Sequence, residues 1–252
     1  MEIEMSNIQE QLYLTKYGRK IWMEKDTWLA SRIMQSNGPY QARNLNALKL
    51  LVPHSRVTLD IGANVGMNTI EYADFSDHVY SWEPHPTTHG WAVRNLQENA
   101  ISNTTLFNAG VGDKPGKLWM KVQAHNDGQN AIAKGQTDDP SYKPEWANGP
   151  CVDIHTIDQH NLQNVDIIKI DTEGYELKVL RGAENTILKY RPVVQAEIDP
   201  NHMKKFGDKP QDIFDWFSTR DYRIENYKGV AKGPIWGKEK GILDYFFIPC
   251  HT

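Results

Sequence analysis

Cysteine is almost missing from this chain: two in 252 residues, 99 positions apart, with neither in a C-x-x-C pair. That leaves no disulfide framework and no cysteine zinc site, and both are read as buried reduced thiols. No apolar run approaches the roughly 18 residues that a membrane-spanning helix needs. An excess of positive charge is lacking too. The 28 Lys and Arg stand against 32 Asp and Glu, a net charge of −4 with no basic run, so no nucleic acid partner is expected. The opening Met-Glu-Ile-Glu-Met-Ser is acidic and has no apolar core, so it does not read as a secretory signal; the expected setting is cytoplasmic. Internal repeats and low-complexity blocks are absent as well. What is present, 39% hydrophobic and 24% charged residues, is the composition of a water-soluble globular chain, long enough for one α/β domain with additions.

The most telling stretch is VTLDIGANVGMNT at 57–69. Val57, Leu59 and Ile61 suit a strand covered on both faces. Gly62 and Gly66 then permit backbone conformations and a closeness of approach that a Cβ forbids. A helix follows, with unpaired N–H groups at its first turn. Ligands of open parallel sheets bind at such corners. A second strand, 78–82, ends in Glu83, 17 residues past Gly66. An acidic residue at about that spacing closes the next strand and accepts the hydroxyls of a ribose. Its charge would repel a 2′-phosphate.

Spacing also chooses between cofactors. From Gly62 the pattern is G-x-x-x-G, not the G-x-G-x-x-G expected for NAD or FAD. Asp60, two residues ahead of Gly62, would repel a pyrophosphate, yet it could organise the loop or attract an ammonium group. S-adenosylmethionine has an amino acid end, a sulfonium and a ribose but no phosphate, and it fits this corner better than NAD does. Ala63 and Asn64 in the loop, and Pro84 after Glu83, join the expected cofactor site. Strand 104–108 ends at the small-residue corner Asn108-Ala109-Gly110, which leaves room for a flat adenine. Asn108 either bonds to the adenine edge or belongs to a tight turn.

Along the chain, residues 1–50 read as a helical cap or extension that could lie over the cofactor. From 51 to 252 strands and helices alternate. Helices are expected at 65–74, 87–100 with a cap at Thr87 or Thr88, 176–190 with a break near Gly182, and 211–219. Strands are expected at 57–61, 78–82, 104–108, 116–122, 152–154, 165–170 and 192–198. A final pair, 222–226 and 242–248, closes the sheet antiparallel. The loop-rich stretch 123–150, holding Asp127-Gly-Gln-Asn130, reads as an insertion on the substrate side or as a surface loop.

Four blocks, in order, carry a family resemblance: VTLDIGANVGMNT at 57–69, SWEPHP at 81–86, NAGVGD at 108–113 and IIKIDTEGYELKVLRGA at 167–183. Together they resemble the motifs of FkbM-type S-adenosylmethionine-dependent methyltransferases over roughly residues 50–199. The K-x-D-x-E-G corner running into L-x-V-L-R-G-A is the most specific of them. The resemblance implies a class I core: α/β, a Rossmann-like doubly wound, mostly parallel seven-stranded sheet with an antiparallel closing strand. It implies methyl transfer, usually to a hydroxyl oxygen, here on a small-molecule or glycan acceptor. It does not identify the acceptor, and no oligomeric state can be read.

Such a transfer needs alignment of donor and acceptor and a base for the departing proton. Asp171, at the end of a strand on the same sheet edge as the glycine loop, is the leading catalytic candidate. Glu173 could share that work, bind the substrate or serve the helix start. Lys169, on a buried strand, is expected to pair with a carboxylate. Glu197, Asp199 and His202 form a second polar cluster, weighed between cation binding and loop capping; no resident metal is expected. His85 and His89 are placed beside the adenosine or on the surface, and Trp82 and Trp91 in the core or as pocket walls. The competing readings are an NAD-dependent sugar-modifying enzyme and a non-catalytic binding module of the same fold.

Overall fold

The computed structural model describes residues 9–36, 39–123, 130–135, 141–226 and 243–250. Its first elements correct the expected helical prelude. Strands β1 (Glu10–Leu14) and β2 (Lys20–Glu24) pair antiparallel, Glu10 opposite Glu24 and Leu14 opposite Lys20. Their alternation is a strand's: Ile21 and Met23 are buried with Tyr13, and the residues between them face outward. Gly18 turns the hairpin at φ +93. Helices come only afterwards. In α1 (Trp28–Gln35) the N-cap Thr27 accepts the Ala30 N–H at 3.1 Å, and α2 (Ala42–Leu51) leads to the sheet.

From β3 (Ser55–Ile61) the expected alternation holds, through α3 (Met67–Ala73), β4 (Ser76–Trp82), α4 (Pro86–Glu98) and β5 (Thr104–Phe107). Helix α4 begins ahead of the Thr87 or Thr88 cap because Pro86, with its fixed φ, takes the first helical position. Two asparagines one helical turn apart on α4 bind the hairpin. The buried Asn95 accepts the Trp22 N–H at 2.6 Å and donates to the carbonyls of Trp22 (3.0 Å) and Val65 (2.8 Å). Asn99 accepts the Lys20 N–H at 3.1 Å and donates to the Lys20 carbonyl at 2.8 Å. The hairpin is thereby tied, through Val65, to the glycine corner itself.

Next come β6 (Gly110–Val111), β7 (Gly116–Lys121), β8 (Ala131–Ile132) and β9 (Cys151–His155), a separate small sheet in the order β6-β9-β7-β8. The insertion supplies β8. Residues 127–129 of its Asp127-Gly-Gln-Asn130 motif lie outside the described residues, and so does the first residue of the strand expected at 242–248. The chain continues through β10 (Val165–Ile170), α5 (Glu176–Gly182), α6 (Glu184–Tyr190), β11 (Val193–Glu197), α7 (Pro200–Met203), α8 (Pro210–Ser218), β12 (Tyr222–Glu225) and β13 (Asp244–Pro249). The break between α5 and α6 falls where Gly182 predicted it. A Cβ there would sit 1.9 Å from the Gly112 carbonyl oxygen, so only glycine lets α5 pack against the small sheet.

The main sheet has seven strands in the order β12-β13-β11-β10-β3-β4-β5. Strands β3, β4, β5, β10 and β11 run parallel, and β13 lies antiparallel to both its neighbours, as the family resemblance implied. From β3 the chain winds one way through β4 and β5; from β10 it winds the other way through β11. The crevice between β3 and β10 is therefore the switch point where open α/β sheets bind ligands. Trp82 and Trp91 are buried, Trp82 stacked on Phe107 at 5.0 Å between ring centroids. Both cysteines are free, but Cys250 is exposed and Cys151 half-buried, which corrects their expected burial. Among the described residues no helix is long and apolar enough to cross a membrane.

Candidate functional site

At the switch point Ile61 ends β3 and its carbonyl accepts the Asp171 N–H at 3.0 Å. Gly62 follows at φ +83, and a Cβ on it would lie 1.9 Å from the Asp171 carbonyl oxygen. The two strand ends can approach this closely only because residue 62 has no side chain. The Gly62 and Ala63 N–H groups donate to the Trp82 carbonyl at 3.0 and 2.9 Å, fixing the loop against β4. Asn64 turns the chain at φ +51, and its Oδ1 accepts the Val65 N–H. Gly66, at φ +82, brings the start of α3 against Ala92 of α4.

Glu83 stands opposite this loop. Its Oε2 accepts the Asn64 N–H at 3.0 Å and its Oε1 the His85 N–H at 2.9 Å. Asp60 lies behind the loop and is completely buried. It accepts the Thr69 hydroxyl at 2.6 Å and has the Lys169 ammonium at 3.4 Å, so of its two expected roles the geometry favours loop organisation. The Asn108 amide donates to the carbonyls of Glu83 (2.9 Å) and Pro84 (3.0 Å). Asn108 thus braces the Glu83 turn, and Ala109 is buried beneath it. Neither lines the cavity beside Glu83; from this stretch Gly110 and Val111 do.

Two cavities adjoin at this corner and share Gly62, Asn64, Asp171 and Glu173. The first, about 80 Å³, is bounded by Glu83 and Pro84, by Trp82, and by Met120, Asn130 and Ile132 of the small sheet. Among the described residues no lysine or arginine lines it. The described part of the insertion walls the Glu83 side through Asn130, Ala131 and Ile132; residues 124–129 and 136–140 lie outside the described residues. The second cavity, about 360 Å³, lies between the acidic edge of the sheet and Trp28, Leu29 and Tyr40 of the N-terminal segment. Of the N-terminal segment, the start of α1 and the turn at Tyr40 line this cavity. His85, His89 and Trp91 line neither cavity.

The acidic edge is built from β10 and β11. Lys169 is buried, donates to the Gly62 carbonyl at 2.9 Å, and lies 3.4 Å from Asp60 and 3.5 Å from Asp171. Burial opposes its charge, but Asp171 and Asp60 more than offset that and hold its pKa above the usual lysine value. Beyond Asp171 the chain turns sharply, Glu173 at φ +58 and Gly174 at φ +110. A Cβ on Gly174 would lie 2.5 Å from the His202 backbone, so glycine lets this loop press against α7. There the Glu173 carboxylate meets His202 Nδ1. Burial raises the Glu173 pKa against that pairing, and the bond to Glu173 raises that of His202. The carboxylate oxygens of Asp171, Glu173 and Glu197 lie within 4.8 Å of one another. That spacing would suit a cation, but Lys169 and His202 already sit on two of the three.

One residue of the site escaped the sequence reading. The buried Glu176 carboxylate reaches back over the turn, its Oε1 accepting the Thr172 N–H (3.1 Å), the Thr172 hydroxyl (3.0 Å) and the Gly174 N–H (3.0 Å). It holds the loop that carries Asp171 and Glu173, and burial pushes its pKa up to about 7. The signal was a glutamate placed in the apolar run Tyr175–Leu180, where a helix buried on that face has no use for a charge.

Residues 60–224 match the Methyltransferase FkbM domain, more than half of the chain, and the chain belongs to that family. Methyltransferase 1 of Beauveria bassiana is 25% identical over 154 residues, covering 53% of this chain and 60% of its own length. The crystal structure of methyltransferase FkbM from Methylobacillus flagellatus is 18% identical with a TM-score of 0.49, over 77% of this chain and 43% of that one. SMU.1697c from Streptococcus mutans, solved in complex with SAH, is 9% identical with a TM-score of 0.48, over 84% of this chain and 99% of that one. The chain thus spans less than two thirds of the Beauveria relative and less than half of the Methylobacillus one.

Proposed function

We propose that this chain is an S-adenosylmethionine-dependent methyltransferase that methylates a hydroxyl oxygen of a small-molecule or glycan acceptor. One observation carries the reading. Among the described residues the cavity at the switch point holds the Glu83 carboxylate and no lysine or arginine, and it shares Asp171 with a second, larger cavity. A pyrophosphate has no cationic partner there and would face three carboxylates, whereas a ribose diol and a positively charged centre are both accommodated.

In this reading Gly62, Ala63, Asn64 and Gly66 shape the backbone that receives the cofactor, with Glu83 and Pro84 at its ribose. Asp60 keeps the loop in place from behind through Thr69 and Lys169. Asn108 and Ala109 support the Glu83 turn from beneath. S-adenosylmethionine supplies an electrophilic methyl group on a sulfonium. The chain then has two tasks. Walls from the N-terminal segment and the sheet edge hold the acceptor in line, and alignment of this kind contributes up to about 7–11 kcal/mol in the best-oriented reactions. Asp171 accepts the proton of the acceptor hydroxyl, a contribution of roughly 10²–10⁴-fold. Glu173, held by His202, faces the acceptor as a hydrogen-bond acceptor for a neighbouring hydroxyl. The absence of any free cation among the described lining residues disfavours a phosphorylated or carboxylated acceptor.

Calorimetric titration with S-adenosylhomocysteine, with NAD as control, tests the reading. Binding of the homocysteine derivative near micromolar, about −8 kcal/mol, with no heat from NAD, is the expected result. Preference for NAD would move the chain to the oxidoreductase reading, and heat from neither ligand to a binding module without this cofactor.

A further inference from the structure

The larger cavity has two carboxylates more than its cations meet, Glu197 and Asp199, and Asp199 is taken up in capping α7, where it accepts the Asn201 N–H at 2.7 Å. Glu173 is paired with His202, and Asp171 with Lys169, which Asp60 shares. Glu197 forms no ion pair among the described residues. Its position follows from sheet register. Ala196 of β11 lies beside Ile170 of β10, so the next residues on each strand, Glu197 and Asp171, emerge together at the carboxyl edge. On its other side β13 places Asp244 opposite Glu197. Asp244 is itself half-buried and accepts a hydrogen bond from the Gln195 amide at 3.1 Å. The groups facing Glu197 are therefore Asp171, Glu173, Asp244 and the Tyr40 ring, with Asp199 and His202 on the same wall and Lys169 beneath. Carboxylates this close, in a wall largely withdrawn from water, cannot all stay ionised.

We propose that Asp171 and Glu197 hold one proton between them at neutral pH, Glu197 as the neutral acid that positions Asp171 as the ionised base facing the acceptor. The proposal deepens the methyltransferase reading and rests on it. The Asp171 charge, then burial, then Asp244, push the Glu197 carboxyl far above the usual carboxylate range, in keeping with the geometry. Glu197 is a positioning residue: its O–H donates to Asp171 and keeps that carboxylate turned toward the cavity. The proton balance is simple. The acceptor O–H bond breaks, its proton passes to Asp171 and its electron pair stays on the acceptor oxygen. The pair then carries two protons and returns one to water.

Carbon-13 NMR of the side-chain carboxyls in the full chain, over about pH 5 to 9, reads the proton directly, because a protonated carboxyl differs in shift from a carboxylate and ordinary ones titrate near 4. Beside Glu176, which titrates at about 7, one further glutamate signal is expected to stay fully protonated through pH 7, to vanish in Glu197→Gln, and to move toward the ordinary range in Asp171→Asn. An ionised Glu197 at pH 7 in the unaltered protein would overturn the proposal. So would ionisation of Glu197 on adding stoichiometric Mg²⁺ or Mn²⁺, since the third carboxylate would then serve a cation. Titration with S-adenosylhomocysteine runs beside it. An ionised Glu197 in a protein that binds this ligand overturns only the pair. A protonated Glu197 in a protein that does not bind it overturns the methyltransferase reading, and with it the pair's role beside an acceptor.

Discussion

Removal of the Glu83 carboxylate by Glu83→Ala is expected to abolish most of the affinity for S-adenosylhomocysteine. Each of its oxygens already accepts one backbone N–H, from Asn64 at 3.0 Å and from His85 at 2.9 Å. A carboxylate oxygen has room for a second bond, so the group can take both hydroxyls of a ribose without releasing the loop. Hydrogen bonds to a charged group contribute about 1.5–3 kcal/mol each. Losing two therefore costs roughly 3–6 kcal/mol, or about 10²–10⁴-fold in Kd. The fold should survive, because Asn64 borders both cavities and His85 is only half-buried, so water can reach each N–H. Glu83→Gln should fall between, keeping one acceptor oxygen while its amide nitrogen faces an N–H that needs an acceptor. Calorimetry with S-adenosylhomocysteine measures the loss, and urea unfolding of each variant checks the fold. A Kd within about tenfold of the unaltered protein, with the fold intact, would refute the assignment of Glu83 to the ribose and remove the main support for the cofactor site.

Three further outcomes follow from the same geometry. Gly62→Ala puts a Cβ 1.9 Å from the Asp171 carbonyl oxygen at φ +83, so the β3 and β10 ends must part, with a loss of at least ~3 kcal/mol in urea unfolding; a loss below ~1 kcal/mol would show that the loop relaxes freely. Lys169→Met leaves Asp60, fully buried, without its ammonium partner; breaking such a pair costs about 3–5 kcal/mol, and a neutral result in urea unfolding would refute the pair's role in holding the fold. Glu176 gives a pH test. Its folded pKa is raised from 4.5 to about 7, so its contribution is fully present below pH 4.5 and is lost as pH rises through 7. That decline amounts to about 3 kcal/mol, and Glu176→Gln, which cannot ionise, should flatten the stability curve over that window; an unchanged slope would show that Glu176 ionises normally.

Much of the site was legible because close packing leaves marks on residue type. Gly62, Gly66, Gly174 and Gly182 each stand where another backbone or helix comes too near for a Cβ or where φ is positive. Glu83 could be placed from spacing alone, since a strand of known length and a helix of ordinary length separate it from the loop. The hairpin β1–β2 was less visible. Its alternation lasts five residues per strand, too short to outweigh the helical spacing of the apolar residues after it. Asn108 could not be assigned between its two readings, because small residues at a corner look the same whether they face a ligand or brace a turn; the structure adds the Nδ2 bonds to the Glu83 and Pro84 carbonyls.

The order of strands, helices and glycine corners, and the family that order belongs to, were determined by the chain's local pattern, since hydrophobic period and backbone freedom act between near neighbours. What sits across the cavity from what was decided by tertiary structure. Lys169 between Asp60 and Asp171, Glu173 against His202, and Glu197 beside Asp171 are pairings across different strands and loops. Charge interactions depend on distance and burial in space, and neither can be read from separation along the chain.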